Sequence, residues 1–130
     1  MLSSNGYGVK DKLLLIMTQE EKDLLLKDLS ARLPYEVKVI TSVGGQIRND
    51  KETLNFAQLS LFNADYENIK PYLFPLSSMT EGQHKEWQYT LSSDGNITYE
   101  TVDWYNKNHF DYRGLIPMGL ANDATGLNIY

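Results

Sequence analysis

His109-Phe110-Asp111 is the stretch whose residue types could carry chemistry. An imidazole and a carboxylate two positions apart can act as an acid/base pair or supply half of a metal site. A metal site needs three or four ligands, and the chain has no cysteine, no HExxH motif and no second histidine nearby. The bland reading of His109 is a residue at a helix C-terminus, close to the last free carbonyls. No serine stands in a Gly-x-Ser-x-Gly elbow, and Gly44-Gly45 lacks the lysine and hydroxyl of a phosphate loop. His109 and Asp111 are therefore the catalytic candidates, with no catalytic set around them, and no cofactor or metal is expected.

A second group of candidates is aromatic. Trp87, Tyr89, Tyr99, Trp104, Tyr105, Phe110 and Tyr112 crowd into one fifth of the chain. Rings of this kind build small cores, and they also dominate binding hot spots because they pair an apolar body with a polar tip. Most are expected in the core, with a binding surface drawn from Trp87, Trp104, Tyr105, Tyr112 and Arg113. Arg113 sits between Tyr112 and Gly114, where a turn-locking salt bridge would also explain it.

The charge balance narrows the partners. Twelve bases against seventeen acids give a net charge of −5. Residues 80–130 hold three of the bases and seven of the acids, so the aromatic part is also the acidic part. Nucleic-acid binding draws its affinity from lysine and arginine displacing counterions, and stacking of single strands needs a cationic groove, so this class is disfavoured. An acidic surface suits solubility, a basic protein partner, or mimicry that occupies a nucleic-acid groove.

The elements that must position these groups can be read in outline. One domain fits 130 residues that are 42% hydrophobic and 22% charged. Residues 1–16 read as a loose extension or an edge arm, with the apolar stretch Leu13–Met17 as its strand, ahead of a single domain over 17–130. Thr18-x-x-Glu21 is a capping box, followed by a leucine stripe at Leu25, Leu26, Leu29 and Leu33 that Pro34 closes. Tyr35 to Val43 alternates as a strand, Gly44-Gly45 reverses it, and a short return meets a turn at Asn49-Asp50. Thr53–Phe62 reads as another strand with a parity shift. Two prolines make 69–76 an extended crossover that cannot be a central strand. Thr80-x-x-Gln83 opens a short helix, and an aromatic hairpin follows over Trp87–Tyr99, turning at Asp94-Gly95. Thr101 or Asp103 then caps a last helix that ends before Gly114.

The predicted fold is α+β: a curved antiparallel sheet of roughly four to six strands, one long N-terminal helix and short C-terminal helices. No apolar run is long enough to span a bilayer or to serve as a secretory h-region, so a cytoplasmic, membrane-free protein is expected.

Three stretches carry a resemblance: Glu20 to Tyr35 (EEKDLLLKDLSARLPY), Lys70 to Thr80 (KPYLFPLSSMT) and His109 to Ile116 (HFDYRGLI). Together they resemble a group of small proteins of gut Bacteroides-type bacteria, their prophages and mobile elements, for which no activity is established. Members commonly start near the position of Met17, and many carry a His-His pair where this chain has Asn108-His109. The resemblance implies a phage or mobile-element accessory role. Joined to the acidic, aromatic composition, it leads to the expectation of a non-enzymatic protein-interaction module. The alternatives are a small enzyme using His109 and Asp111, or an acidic mimic that blocks a nucleic-acid-binding host protein.

Overall fold

The computed structural model describes residues 17–130. The expected extension or edge arm over residues 1–16 lies outside them. At Thr18 the capping box forms as read: its hydroxyl accepts the Glu21 amide, and the Glu21 carboxylate accepts the Thr18 amide, both at 3.0 Å. Helix α1 (Gln19–Arg32) starts there and ends at a 3-10 turn, Leu33–Tyr35, with Pro34 inside it. Leu25 and Leu29 are fully buried, while Leu26 and Leu33 pack at the border of the core.

Strands β1 (Lys38–Val43) and β2 (Gln46–Thr53) form an antiparallel hairpin. Its turn is Gly44-Gly45, both at positive φ (56° and 83°), the conformation that matches strand twist and that glycine adopts without steric cost. The turn expected at Asn49-Asp50 does not form, because β2 runs on past it. The register shifts twice, leaving Arg48 and Lys51 as the extra residues, and Lys51 takes φ 57°. The local bias against a straight strand is absorbed as two bulges.

The strand expected over Thr53–Phe62 does not form beyond Thr53, where β2 ends. Asn55 caps helix α2 (Phe56–Asn63), accepting the Gln58 amide at 2.8 Å and donating its own amide to the Gln58 side chain at 3.0 Å. The parity shift was helical periodicity: Leu59 and Phe62 are buried, three positions apart, on one face.

The Pro-bounded segment is also corrected. Strand β3 (Asn68–Leu73) contains Pro71 and lies inside the sheet, whose order is β2-β1-β3-β4 with β4 at Asn122–Asp123. Pro71 pairs with Val39 of β1, while β4 reaches only Tyr72 and Leu73. Among the described residues the strand thus has a paired neighbour on one side alone at Pro71, the edge-like setting in which a missing N–H is tolerated. The β3–β4 pairing is parallel, so the sheet is mixed and not antiparallel as expected.

The aromatic hairpin over 87–99 is made of helices. Helix α3 (Glu81–Thr90) keeps going through Trp87 and Tyr89, and α4 (Tyr99–Lys107) begins at Thr98, ahead of the expected cap. Short alternation at 87, 89 and 91 cannot outweigh two capping boxes, Thr80 with Gln83 and Thr98 with Thr101. The Asp94-Gly95 turn does form, with Gly95 at φ 80°, but it joins two helices.

The described residues thus form an α+β fold with four α-helices and a four-stranded mixed sheet. Its core joins Leu25 and Leu29 of α1, Val37, Val39, Phe62, Ile69 and Leu73 to Leu115 and Leu120 of the C-terminal segment. None of the described helices is long and apolar enough to cross a membrane.

Candidate functional site

His109 and Asp111 point to different tasks. The Asp111 carboxylate accepts the Leu115 amide at 2.8 Å and the Ile116 amide at 2.9 Å, which fixes the loop after α4. His109 terminates α4 in the left-handed region at φ 63°. The Phe110 amide donates back to Tyr105 O at 2.9 Å and the His109 amide to Asn106 O at 3.3 Å, the two bonds of a Schellman motif. A glycine would serve there without strain; the imidazole instead lies on the Tyr130 ring, with centroids 3.7 Å apart. Burial, then the positive charges of Arg32 and Lys38, push the His109 pKa down to about 4. Its Nδ1 is buried with no partner among the described residues.

Tyr130 completes that corner. Its hydroxyl donates to Tyr72 O at 2.7 Å and accepts the Lys38 amide at 2.7 Å, and burial raises its pKa. The Tyr72 hydroxyl in turn donates to Asp50 on β2 at 2.5 Å, and burial followed by the Asp50 carboxylate raises its pKa too. Burial alone would raise the Asp50 pKa, but the hydrogen bonds from Tyr72 and Lys51 outweigh it and leave the carboxyl below its ordinary value.

Behind His109 lies a charged junction. Asp28 and Arg32 of α1 are both fully buried, and Arg32 Nε donates to Asp28 at 2.8 Å. Arg113 Nε donates to the other Asp28 oxygen at 3.0 Å, and Arg32 also donates to Phe110 O at 2.6 Å. Arg113 is thus the anchor of the C-terminal loop on α1, more than a local turn lock. Both guanidinium groups stand near the Tyr112 ring, at 5.3 Å for Arg32 and 4.8 Å for Arg113.

The sequence candidates on rings fall into one ladder. Tyr112 stacks on Tyr105 at 5.1 Å, Tyr105 accepts the Trp87 indole N–H at 2.9 Å, and Trp87 stacks on His84 at 5.2 Å. Trp104 stacks on Phe110 at 5.4 Å and donates to Glu86 at 3.2 Å. Tyr105 is buried, while Trp87, Trp104, Tyr112 and Arg113 are half-buried. These side chains therefore serve mainly to hold α3 to α4 and the C-terminal loop.

Other rings reach solvent. Tyr89 is 88% exposed, Tyr99 93% and Ile97 60%. Tyr89 is the last residue but one of α3 and Tyr99 begins α4, so the three flank the closed end of the helical hairpin. A threonine knot makes that end firm: Thr98 Oγ1 donates to Thr90 O at 2.7 Å, and Thr90 Oγ1 donates to Thr101 Oγ1 at 3.0 Å. Ile97, Thr98, Tyr99 and Val102 line a hollow there of about 310 Å³. Alternation in the sequence suggests a strand face for Tyr89 and Tyr99, whereas Thr98 and Thr101 form a capping box that starts a helix.

Helix α3 has a second distinctive property, since none of its residues is fully buried. Between it and the 3-10 turn Leu76–Ser78 runs a groove of about 410 Å³, walled by Leu76, Met79, Trp87 and Tyr105. Glu81 and His84 stand at the same groove. Among the described residues no cluster of three or more His, Asp or Glu side chains is placed to hold a metal ion.

No family model, curated protein or solved structure matches the chain.

Proposed function

We propose that this chain is a non-enzymatic protein-interaction module that presents the α3–α4 hairpin to a protein partner, in a phage or mobile-element accessory role. The observation that supports the docking surface is the near-complete exposure of Tyr89 and Tyr99 at the end of a hairpin closed by three threonines. Large rings held in water on a rigid frame lose little conformational freedom when a partner covers them. The accessory setting rests on the resemblance in the three stretches quoted above. We prefer this reading to an acid/base role for His109 with Asp111, because the His109 ring stacks on Tyr130 and the Asp111 carboxylate holds two backbone amides.

The test is site-directed photo-crosslinking in cells that express the full chain. A crosslinker at Tyr89 and another at Tyr99 should capture the same protein, and one at Tyr66, also exposed, should not. The Tyr89→Ser/Tyr99→Ser double variant should fold normally and lose that partner. Equal labelling from all three positions, or a partner indifferent to the double variant, refutes the reading.

A further inference from the structure

We infer that the groove between the Leu76–Ser78 turn and α3 receives a lysine or arginine side chain from a basic protein segment. This deepens the module reading and rests on it, while adding a separate surface with its own chemistry.

The groove has the profile that a long cationic side chain needs. Leu76 and Met79 give an apolar wall for the methylene stem, and Trp87 adds an aromatic wall. Glu81 supplies a carboxylate that makes no hydrogen bond or ion pair with a described residue, unlike Glu86 one turn on, which Trp104 engages. A purely apolar guest would leave that carboxylate unused, and an anionic guest would meet it directly. Volume agrees: about 410 Å³ exceeds one side chain and leaves room for the flanking backbone.

The net charge of the helical hairpin that carries the groove favours the same guest. From Leu76 to Asn108 the chain carries five acids, Glu81, Glu86, Asp94, Glu100 and Asp103, against Lys85 and Lys107. A second copy of this chain would bring acids onto acids across a twofold interface, so self-association is the poorer fit. Nucleic acid is disfavoured by the same field. Lys85, four residues after Glu81 on the same helix, is the internal competitor for the carboxylate.

The experiment uses the full chain labelled with ¹⁵N and follows the indole N–H signals of its two tryptophans, Trp87 and Trp104. The probe is a short synthetic peptide alternating lysine and leucine, beside its lysine-acetylated twin and a version with glutamate for lysine. The lysine peptide should move the Trp87 signal saturably, with the Trp104 signal far less affected, and the other two peptides should not. Glu81→Gln should weaken the lysine peptide about two- to fivefold, the worth of one exposed ion pair, and Lys85→Gln should tighten it. If Glu81→Gln disturbs the amide spectrum of α3, the direction of the Lys85→Gln effect decides alone. No saturable shift at Trp87, or an equal response to the acetylated twin, overturns the inference. Crosslinking at Tyr89 and Tyr99 is read independently, so a silent groove with a captured partner sinks this inference and leaves the module standing.

Discussion

Arg113 donates to Asp28 at 3.0 Å across 85 positions of sequence, and so fastens the loop after α4 to the first helix. Asp28 has no exposed surface and stands between two guanidinium groups. A buried charge that loses its counter-charge is far more costly than a surface one. Asp28→Ala is therefore expected to destabilise the fold by about 3–5 kcal/mol. Arg113→Ala, at the more exposed end of the same contact, should cost about 1–2 kcal/mol. Urea unfolding of both variants checks the order; an Asp28→Ala protein as stable as Arg113→Ala contradicts it.

The His109 imidazole resists protonation in the folded chain, with a pKa near 4 against the ordinary 6.5. Between those values the unfolded chain binds more protons than the folded one, so stability rises with pH through that window. The contribution is fully present above about pH 7 and is lost as the pH falls from about 6.5 to about 4. With allowance for the partial exposure of the ring, the loss is about 1–2 kcal/mol. Unfolding midpoints at a series of pH values for the wild type and His109→Phe measure it. The variant keeps a ring against Tyr130 and should show a shallower slope; parallel slopes would contradict the assignment.

Gly44 has φ 56° and open space where a Cβ would stand. Gly44→Ala thus meets no clash and isolates the cost of the left-handed backbone, about 1 kcal/mol. Thermal or urea unfolding reads this directly. An alanine variant as stable as the wild type would mean that the β1–β2 turn relaxes freely.

The Tyr130 hydroxyl serves Tyr72 O and the Lys38 amide together. Tyr130→Phe keeps the ring stacked on His109 and removes both bonds, at about 1 kcal/mol because water can reach the Lys38 amide. Amide hydrogen exchange should quicken at Lys38 and stay unchanged in α1. Uniform acceleration would point instead to a global role for the hydroxyl.

Much of the helical frame could be read locally, because caps are short-range signals. Thr18 with Glu21 and Thr80 with Gln83 each placed a helix start correctly. Asn55 with Gln58 obeys the same rule, but Thr53 to Phe62 also reads as a strand, and its parity shift is the helical spacing. Pro71 misled for a different reason: a proline's cost depends on which neighbours its strand has at that residue, and only the tertiary arrangement decides that. The candidate site shows the same division. Ring-rich composition pointed to the right third of the chain, yet which rings face water depends on α3 being a helix. Asp28 and Arg32 sit four apart on the buried face of α1, a pairing visible in the sequence, but Arg113 as their third member is a contact no local spacing encodes.

Strand β4 has two residues, and beyond it the Ala124 amide continues the seal by donating to Leu73 O at 2.8 Å. Among the described residues a stretch this brief is all that pairs along the outer side of Tyr72 and Leu73, in a strand whose six residues are all buried. Proteolytic clipping after Ala121 would remove that pairing while most of the core still stood. The trimmed species would then be a template for strand addition by a neighbour, so preparations of this protein should be checked for tail loss before any higher-order assembly is ascribed to the intact chain.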